Sequence, residues 1–238
     1  MLALLAQGPA AAAKDQGRVA TARSAAGPRI REAFKTAGVA YPPGEIFVRA
    51  FKLEQQVELW AGPKGKPLAL VKRFPICALS GRLGPKRERG DLQVPEGVYR
   101  IDRFNPWSNF HLSLGLDYPN AADRIAGAKA GTRDLGGDIF IHGDCVTIGC
   151  MPLGDDAIDE LFVVALDART GGQGSISVHV FPHRLDADWL SQAGRQAPEL
   201  LPFWTQLQPI YEAFERTQRP PRVSVDRRTG AYRLEPGT

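Results

Sequence analysis

Two side chains at close spacing carry the chemistry that this sequence suggests. His142 ends the apolar run Ile139-Phe140-Ile141 and is followed by Gly143, and Cys150 comes eight residues later, directly after Gly149. An apolar run of this kind predicts a buried strand that delivers its last side chain to the rim of a sheet. The segment between, Asp144-Cys145-Val146-Thr147-Ile148, is short enough to fold back and bring imidazole and thiol within reach. That pairing is the minimum for thiol nucleophilic catalysis, in which a base removes the thiol proton and the thiolate attacks a carbonyl. Gly149 allows a sharp turn and a close approach to a ligand. The amides of Ile148, Gly149 and Cys150 are candidate donors to a developing oxyanion. Thr147 either bonds local backbone, as turn hydroxyls do, or shapes the loop and polarises a substrate. Asp144 is a candidate to orient His142, and equally a solvent-facing carboxylate. The structural alternatives stay open at this point: Cys150 as a buried structural thiol and His142 as a core histidine.

Other residue types offer less. His142, Cys145 and Cys150 amount to three zinc ligands, but no CxxC or HxxxH pair accompanies them, so no metal and no organic cofactor is expected. In an oxidising compartment, pairing Cys77 with Cys145 is the choice that spares Cys150; spacing alone does not select it. His179 alternates with Ser177 on an apolar strand and reads as a sheet residue. Lys86 and Arg82 lie in a glycine-rich polar loop over residues 80–91. Loop cations are mostly solvated, but these two are candidates for meeting a substrate carboxylate. Tyr118 and Trp107 are either cleft walls or core, with Tyr118 the further candidate for a substrate contact.

The elements that must position these residues follow from the pattern along the chain. Its 238 residues suffice for one sizeable domain with appendages or for two small ones, and the balance of 43% apolar to 24% charged residues is that of a globular protein. The 25 glycines and 19 prolines predict many turns and more strand than helix. A formal net charge of +4, with Lys and Arg scattered rather than arrayed, argues against a nucleic-acid partner. No apolar run reaches the ~18 residues of a membrane span. Residues 1–13 form a short apolar start running into alanines, without the basic region and longer apolar core of a secretory signal; they read as the remnant of a trimmed signal or as a frayed terminus. A short amphipathic helix is expected around Ile30, Ala33 and Phe34, after a break at Gly27-Pro28. Alternating or apolar segments at 46–52, 56–60, 68–74, 98–101, 110–114, 139–142 and 176–182 predict strands of an antiparallel sandwich or barrel. Asp155 and Asp156 lead into helical spacing through Ile158, Leu161, Phe162 and Ala165. Trp204, Leu207, Ile210, Tyr211 and Phe214 form an amphipathic helical stripe, and a hairpin around Thr229-Gly230 closes the chain.

Taken together the motifs resemble a known family. His142-Gly143 followed by Thr147-x-Gly149-Cys150 resembles the catalytic motif of the L,D-transpeptidases (the YkuD-like domain), in which His-Gly precedes Ser/Thr-x-Gly-Cys. Gly81-x-x-Gly84-Pro85-Lys86, then Gly90-Asp91-x-Gln93-x-Pro95-Glu96-Gly97-x-Tyr99, then Tyr118-Pro119-Asn120, are similar to the YafK-like subgroup and occur in the same order. The resemblance spans residues 45–183. It implies an α+β, mainly β fold, a β-sandwich with peripheral helices, flanked by an N-terminal helical extension over 1–44 and a C-terminal helix and hairpin over 184–238. It further implies a bacterial cell-envelope, periplasmic enzyme acting on peptidoglycan stem peptides without a cofactor. Cys150 would be the nucleophile, His142 its base, and Gly149 with neighbouring amides the oxyanion donors. The thioester formed at the carbonyl of meso-diaminopimelate would pass to an amine or to water. The subgroup favours release of diaminopimelate-linked lipoprotein over cross-linking. Two positions depart from the usual motif, which has histidine two before the cysteine and arginine two after it: here they are Ile148 and Pro152. The alternative reading is a non-catalytic peptidoglycan-binding module.

Overall fold

The computed structural model describes residues 9–236. The first eight residues of the short apolar start lie outside them. Strands β1 (Glu45–Phe51), β2 (Gln56–Gly62) and β3 (Ala69–Pro75) form an antiparallel meander. Strands β4 (Gly97–Asn105), β5 (Ser113–Leu116), β6 (Phe140–His142), β7 (Met151–Pro152) and β8 (Ser177–Phe181) complete a sheet of order β3-β2-β1-β8-β4-β5-β6-β7. Strand β4 pairs with β8 through Gly97–Arg100 and with β5 through Ile101–Asn105, with a register shift between Ile101 and Arg103. A shift of this kind bends a strand and strengthens its twist, which curls the sheet. The sheet is mixed rather than wholly antiparallel, because β1 with β8 and β6 with β7 run parallel.

Alternation along β1 sorts the two sides. Ile46, Val48 and Ala50 enter the main core, which α1 (Pro9–Thr36) and α3 (Asp155–Thr170) cover through Ala22, Ala26, Ile30, Phe34, Ile158, Leu161 and Phe162. Phe47 and Phe51 face the opposite way, onto α5 (Leu201–Thr217), where Trp204, Leu207, Tyr211 and Phe214 are buried. Two shorter helices, α2 (Ala121–Ala130) and α4 (Ala187–Gln196), and the hairpin of β9 (Val223–Val225) with β10 (Tyr232–Leu234) complete the fold.

Three local expectations change. Gly27-Pro28 does not break the first helix, which runs 28 residues through Pro28. A proline inside a helix costs about 3 kcal/mol, and here Ala26, Ile30 and Phe34, all buried on both sides of it, hold the helix against the sheet. The strand expected over 110–114 begins only at Ser113, because His111 adopts a left-handed conformation with φ of 66°. The helices hold more residues than the strands, against the expectation from glycine and proline content. Much of the excess is the long α1 and the unforeseen α4, whose buried residues are only Leu190 and Ala193.

The α5 side of the sheet also buries charge. Arg49 pairs with Glu58 at 2.8 Å, both essentially inaccessible, and reaches Glu215 at 2.5 Å. His179, beside Arg49 in the β1–β8 register, is a sheet residue as expected, and both of its ring nitrogens are buried without a hydrogen-bond partner. Burial and the Arg49 charge push its pKa down to about 3. The unfolded chain therefore takes up a proton first as pH falls from 6.5, and that contribution to stability is lost progressively toward pH 3. Replacing His179 by Leu is expected to flatten the fall of thermal midpoint between pH 6.5 and 4; parallel curves for variant and parent would refute this origin of acid sensitivity.

Candidate active site

The short parallel pair β6–β7 sets the positions of His142 and Cys150. His142 is the last residue of β6, paired with Ser113 on one side and Pro152 on the other. Cys150 immediately precedes β7, so the two reach adjacent strand ends. The His142 imidazole is buried, with the Phe110 ring tilted over it at 4.8 Å between centroids. Its Nδ1 lies 2.5 Å from the carbonyl oxygen of Gly143. A carbonyl can only accept, so Nδ1 carries the hydrogen and Nε2 presents its lone pair. Burial lowers the His142 pKa, opposed by that carbonyl and by the charge of Asp144, so the ring is a neutral base at neutral pH.

Gly143 is fixed by space. A Cβ there would stand 2.5 Å from Asp155 Oδ1 and 2.8 Å from His111 Cβ, closer than packed atoms tolerate. Its amide donates to the carbonyls of Phe110 at 3.1 Å and Leu112 at 3.2 Å.

Cys150 is partly buried. Its sulfur accepts from the Phe140 amide at 3.4 Å and lies 3.6 Å from the Asp138 carbonyl. Among the described residues no hydrogen bond joins it to His142. Burial raises the thiol pKa and the Asp138 charge adds to this, while the Phe140 N–H and the Lys86 ammonium oppose it. The pair at rest is therefore thiol and imidazole, not thiolate and imidazolium.

The loop before Cys150 is stapled by Thr147, whose hydroxyl donates to the Cys150 carbonyl at 2.7 Å and accepts from the Gly149 amide at 3.1 Å. Thr147 thus shapes the loop, and the Gly149 amide is engaged within it. Among the described residues the amides of Ile148 and Cys150 have no hydrogen-bond partner. Gly149 has φ of 133°, and a Cβ there would stand 3.1 Å from the carbonyl oxygen of Gln93, so the loop rests on the segment ending at Gln93. The Ile148 side chain, where the usual motif has histidine, is 79% exposed.

Cys77 and Cys145 form a disulfide with Cα atoms 5.6 Å apart, which leaves Cys150 the free thiol. The bridge removes the zinc alternative, because the Cys145 sulfur is bonded to Cys77. It ties the loop between His142 and Cys150 to the segment after β3, whose Cys77 amide also donates to the Pro152 carbonyl at 3.0 Å. Asp144 is exposed and does not orient His142: its Oδ1 accepts from the Cys145 amide at 2.6 Å, and its own amide donates to Asp155 Oδ1 at 2.8 Å.

The remaining candidates separate. Lys86 is buried, pairs with Asp91, donates to the Glu88 carbonyl at 2.8 Å and lies over the Tyr118 ring. Tyr118 is buried and its hydroxyl donates to the Leu135 carbonyl at 2.9 Å. Arg82 is exposed, and among the described residues its guanidinium has no partner. It lines a cleft of about 1310 Å³ between residues 81–93 and the α4–α5 pair, with Arg87, Trp189 and Phe203 on the walls. Trp107 is 42% exposed, under the Arg18 guanidinium. Sequence reading missed His111, whose Nε2 lies 2.7 Å from Asp159 Oδ1 beside Phe110, and the support that Gln93 gives to Gly149. Neither has a signal in spacing, since the partners are far apart along the chain.

Comparison with known proteins places this geometry in context. Residues 45–180 match the family model described as the L,D-transpeptidase catalytic domain (YkuD). The chain is 36% identical over 183 residues to the curated Escherichia coli (strain K12) protein named "Putative L,D-transpeptidase YafK", covering 76% of this chain and 70% of that protein. The counterpart from Escherichia coli O157:H7 matches equally. Among solved structures, the helical cell shape determining protein Pgp2 from Campylobacter jejuni aligns over 76% of this chain and 73% of its own, at 16% identity and a TM-score of 0.47. Bdellovibrio bacteriovorus Bd1075 aligns over 74% and 64%, at 20% identity and a TM-score of 0.40.

The bridge closes a separation of 68 residues. Loop-closure entropy for such a span corresponds to about 4 kcal/mol. The double variant Cys77→Ser/Cys145→Ser is expected to lose stability by up to that amount in denaturant titration, and a midpoint equal to that of the parent would refute the tie.

Proposed function

Because the chain belongs to the L,D-transpeptidase catalytic-domain family, we propose that it is a cysteine acyl-transfer enzyme of peptidoglycan with Cys150 as nucleophile and His142 as base. The observation that carries this reading is the contact between His142 Nδ1 and the Gly143 carbonyl, which leaves Nε2 as a proton acceptor at the strand end next to the one unbridged thiol. The substrate is a stem peptide, attacked at the carbonyl of its meso-diaminopimelate residue.

The thiol proton passes to His142 Nε2 as sulfur attacks. The C–S bond forms and the carbonyl π pair moves to oxygen. The unengaged amides of Ile148 and Cys150 are the donors best placed to meet that charge; Gly149 contributes the turn that presents them. Collapse re-forms the carbonyl and breaks the C–N bond, and the imidazolium returns its proton to the departing amine. Water or a second amine then attacks the thioester, His142 takes the incoming proton, and the Cys150 thiolate leaves. Water as acceptor makes the enzyme an amidase that releases diaminopimelate-linked lipoprotein; an amine makes it a transpeptidase. Of the two loop candidates, Arg82 rather than Lys86 is free to meet a substrate carboxylate, standing in for the arginine that Pro152 replaces. Lys86, buried beside Asp91, acts on the thiolate through space, and Tyr118 supports Lys86 rather than touching substrate. The disulfide fits an oxidising compartment and hence a periplasmic location. No described helix is long and apolar enough to cross a membrane.

Mass spectrometry of products from diaminopimelate-containing fragments, free and protein-linked, with and without an added amine, tests the reaction. The expected result is a thioester adduct on Cys150 and loss of the linked group, both abolished in Cys150→Ala. Peptidoglycan binding with neither adduct nor product would make the chain a binding module instead.

The ionisation state gives an independent check. Alkylation of Cys150 by iodoacetamide in the free enzyme is expected to rise with pH through and beyond the ordinary thiol range. A plateau below pH 7 would instead mean a preformed thiolate–imidazolium pair, contrary to burial of both groups.

A further inference from the structure

A buried ion pair stands behind the wall of the reactive loop. Lys52 Nζ lies 3.1 Å from Glu96 Oε1, with side chains 4% and 0% exposed. Burial lowers the Lys52 pKa, opposed by Glu96 and Asp91, so the ammonium depends on its partner for its charge. Both residues also bind the loop over 81–94. Lys52 donates to the carbonyls of Arg82 at 2.6 Å, Val94 at 2.9 Å and Gly84 at 3.4 Å. Glu96 Oε1 accepts from the Gly84 amide at 2.6 Å. The other carboxylate oxygen, Oε2, accepts from the indole Nε1 of Trp204 on α5 at 2.8 Å. Leu200, just before α5, closes over Gly84, where an added Cβ would stand 3.0 Å from its Cδ2.

The loop held at both ends in this way is the one that meets the Cys150 segment. Val94 follows Gln93, whose carbonyl oxygen supports Gly149, and the Gln93 side chain reaches back across the loop to the Gly84 carbonyl at 3.2 Å. The same loop carries Lys86 with its partner Asp91. Lys86 and Asp138 are the charged groups acting on the Cys150 sulfur, with the neutral His142 at the neighbouring strand end.

We propose that Glu96 is a positioning residue through which the C-terminal extension, by way of Trp204, sets where residues 81–94 stand against the Cys150 loop. This rests on Cys150 being the nucleophile. The residues after 183 are then part of the reactive unit rather than an appendage. Losing the indole N–H leaves one oxygen of a desolvated carboxylate unpaired, and such an oxygen draws a new donor to itself. The donors already on this carboxylate are the Gly84 amide of the loop and Lys52, which itself holds the Arg82, Gly84 and Val94 carbonyls, so a shift of either moves the loop and takes Lys86 and the Gln93 support with it.

The test is the pH profile of iodoacetamide labelling of Cys150 in Trp204→Phe, Lys86→Met and the double variant, read beside turnover of diaminopimelate peptides. Trp204→Phe keeps a ring in the core and removes the donor. Its labelling midpoint is expected to rise by about half a unit, and that of Lys86→Met by at least as much. The double variant is expected to match Lys86→Met, because the displaced loop has no further charge to withdraw. In Trp204→Phe kcat is expected to fall about tenfold with KM within about twofold, the pattern of a misplaced reacting group. The proposal is overturned if the midpoint of Trp204→Phe equals that of the parent, if Lys86→Met leaves it unmoved, or if the Trp204→Phe shift adds in full to that of Lys86→Met. Should Trp204→Phe fail to fold, Leu200→Ala, which loosens the same loop at Gly84 without touching a polar group, is expected to shift the midpoint in the same direction; no shift overturns the proposal. A parent protein with no turnover would refute the proposed function, and the labelling profiles would still decide the positioning role.

Discussion

The hydrogen bond between the His142 imidazole and the carbonyl of the next residue is the constraint around which the site is built. The residue that supplies that carbonyl has no room for a side chain, since a Cβ at Gly143 would stand 2.5 Å from Asp155 Oδ1, 2.8 Å from His111 Cβ and 2.9 Å from the Phe110 carbonyl oxygen. The start of α3, the irregular segment before β5 and the end of β6 therefore converge on one residue that must be glycine. The left-handed His111 and the Asp155 carboxylate on the Asp144 amide belong to the same corner. A neutral imidazole with a defined tautomer is the chemical result, and the sheet's two-residue strand β7 then only has to bring Cys150 alongside.

Much of this was legible in the sequence. The apolar run into His142, the glycine before the thiol and the hydroxyl at Thr147 mark a strand end and a stapled loop, because each depends on residues close together along the chain. The strands of the meander and the stripe of α5 were legible for the same reason: period two and period 3.6 are local signals. What was hidden depends on distant partners. Helix α1 continues through Pro28 because the sheet and α3 lie against both halves of it, which no window of sequence contains. Lys86 looks like a solvated loop cation until Asp91 and Tyr118 enclose it. Asp144 leaves two readings open, orienting carboxylate or solvent-facing one, and its exposed oxygen on the following amide decides for the second. The Cys77–Cys145 pairing was one option among others from spacing, and the fold selects it by bringing the segment after β3 beside β7.

The two sides of the sheet handle burial differently. The α1–α3 side has a wholly apolar centre and keeps its charge at the margin, where Glu160 of α3 pairs with Arg29 of α1 and Lys72 of β3. The α5 side buries Arg49 with Glu58, ringed by Phe51, Trp60, Tyr211 and Phe214, with the guanidinium 4.4 Å from the Phe214 ring centroid. Ion pairs taken out of water seldom add net stability over a well-packed apolar equivalent, but leaving one partner alone is strongly unfavourable. Arg49 on β1 and Glu58 on β2 satisfy each other within the sheet, and α5 adds Glu215 and the rings that enclose the guanidinium.

The disulfide and the raised thiol have a joint consequence. Cys145 sits five residues from Cys150 on one short loop, so the protein carries an electrophilic sulfur within tether length of a free thiol. Thiol–disulfide exchange proceeds through the thiolate, and its rate follows the thiolate fraction. Burial that favours the protonated form of Cys150 also keeps it from shuffling the bridge that shapes its loop. The same desolvation that raises the Cys150 pKa is what lets a free thiol and a structural disulfide share so small a span of chain.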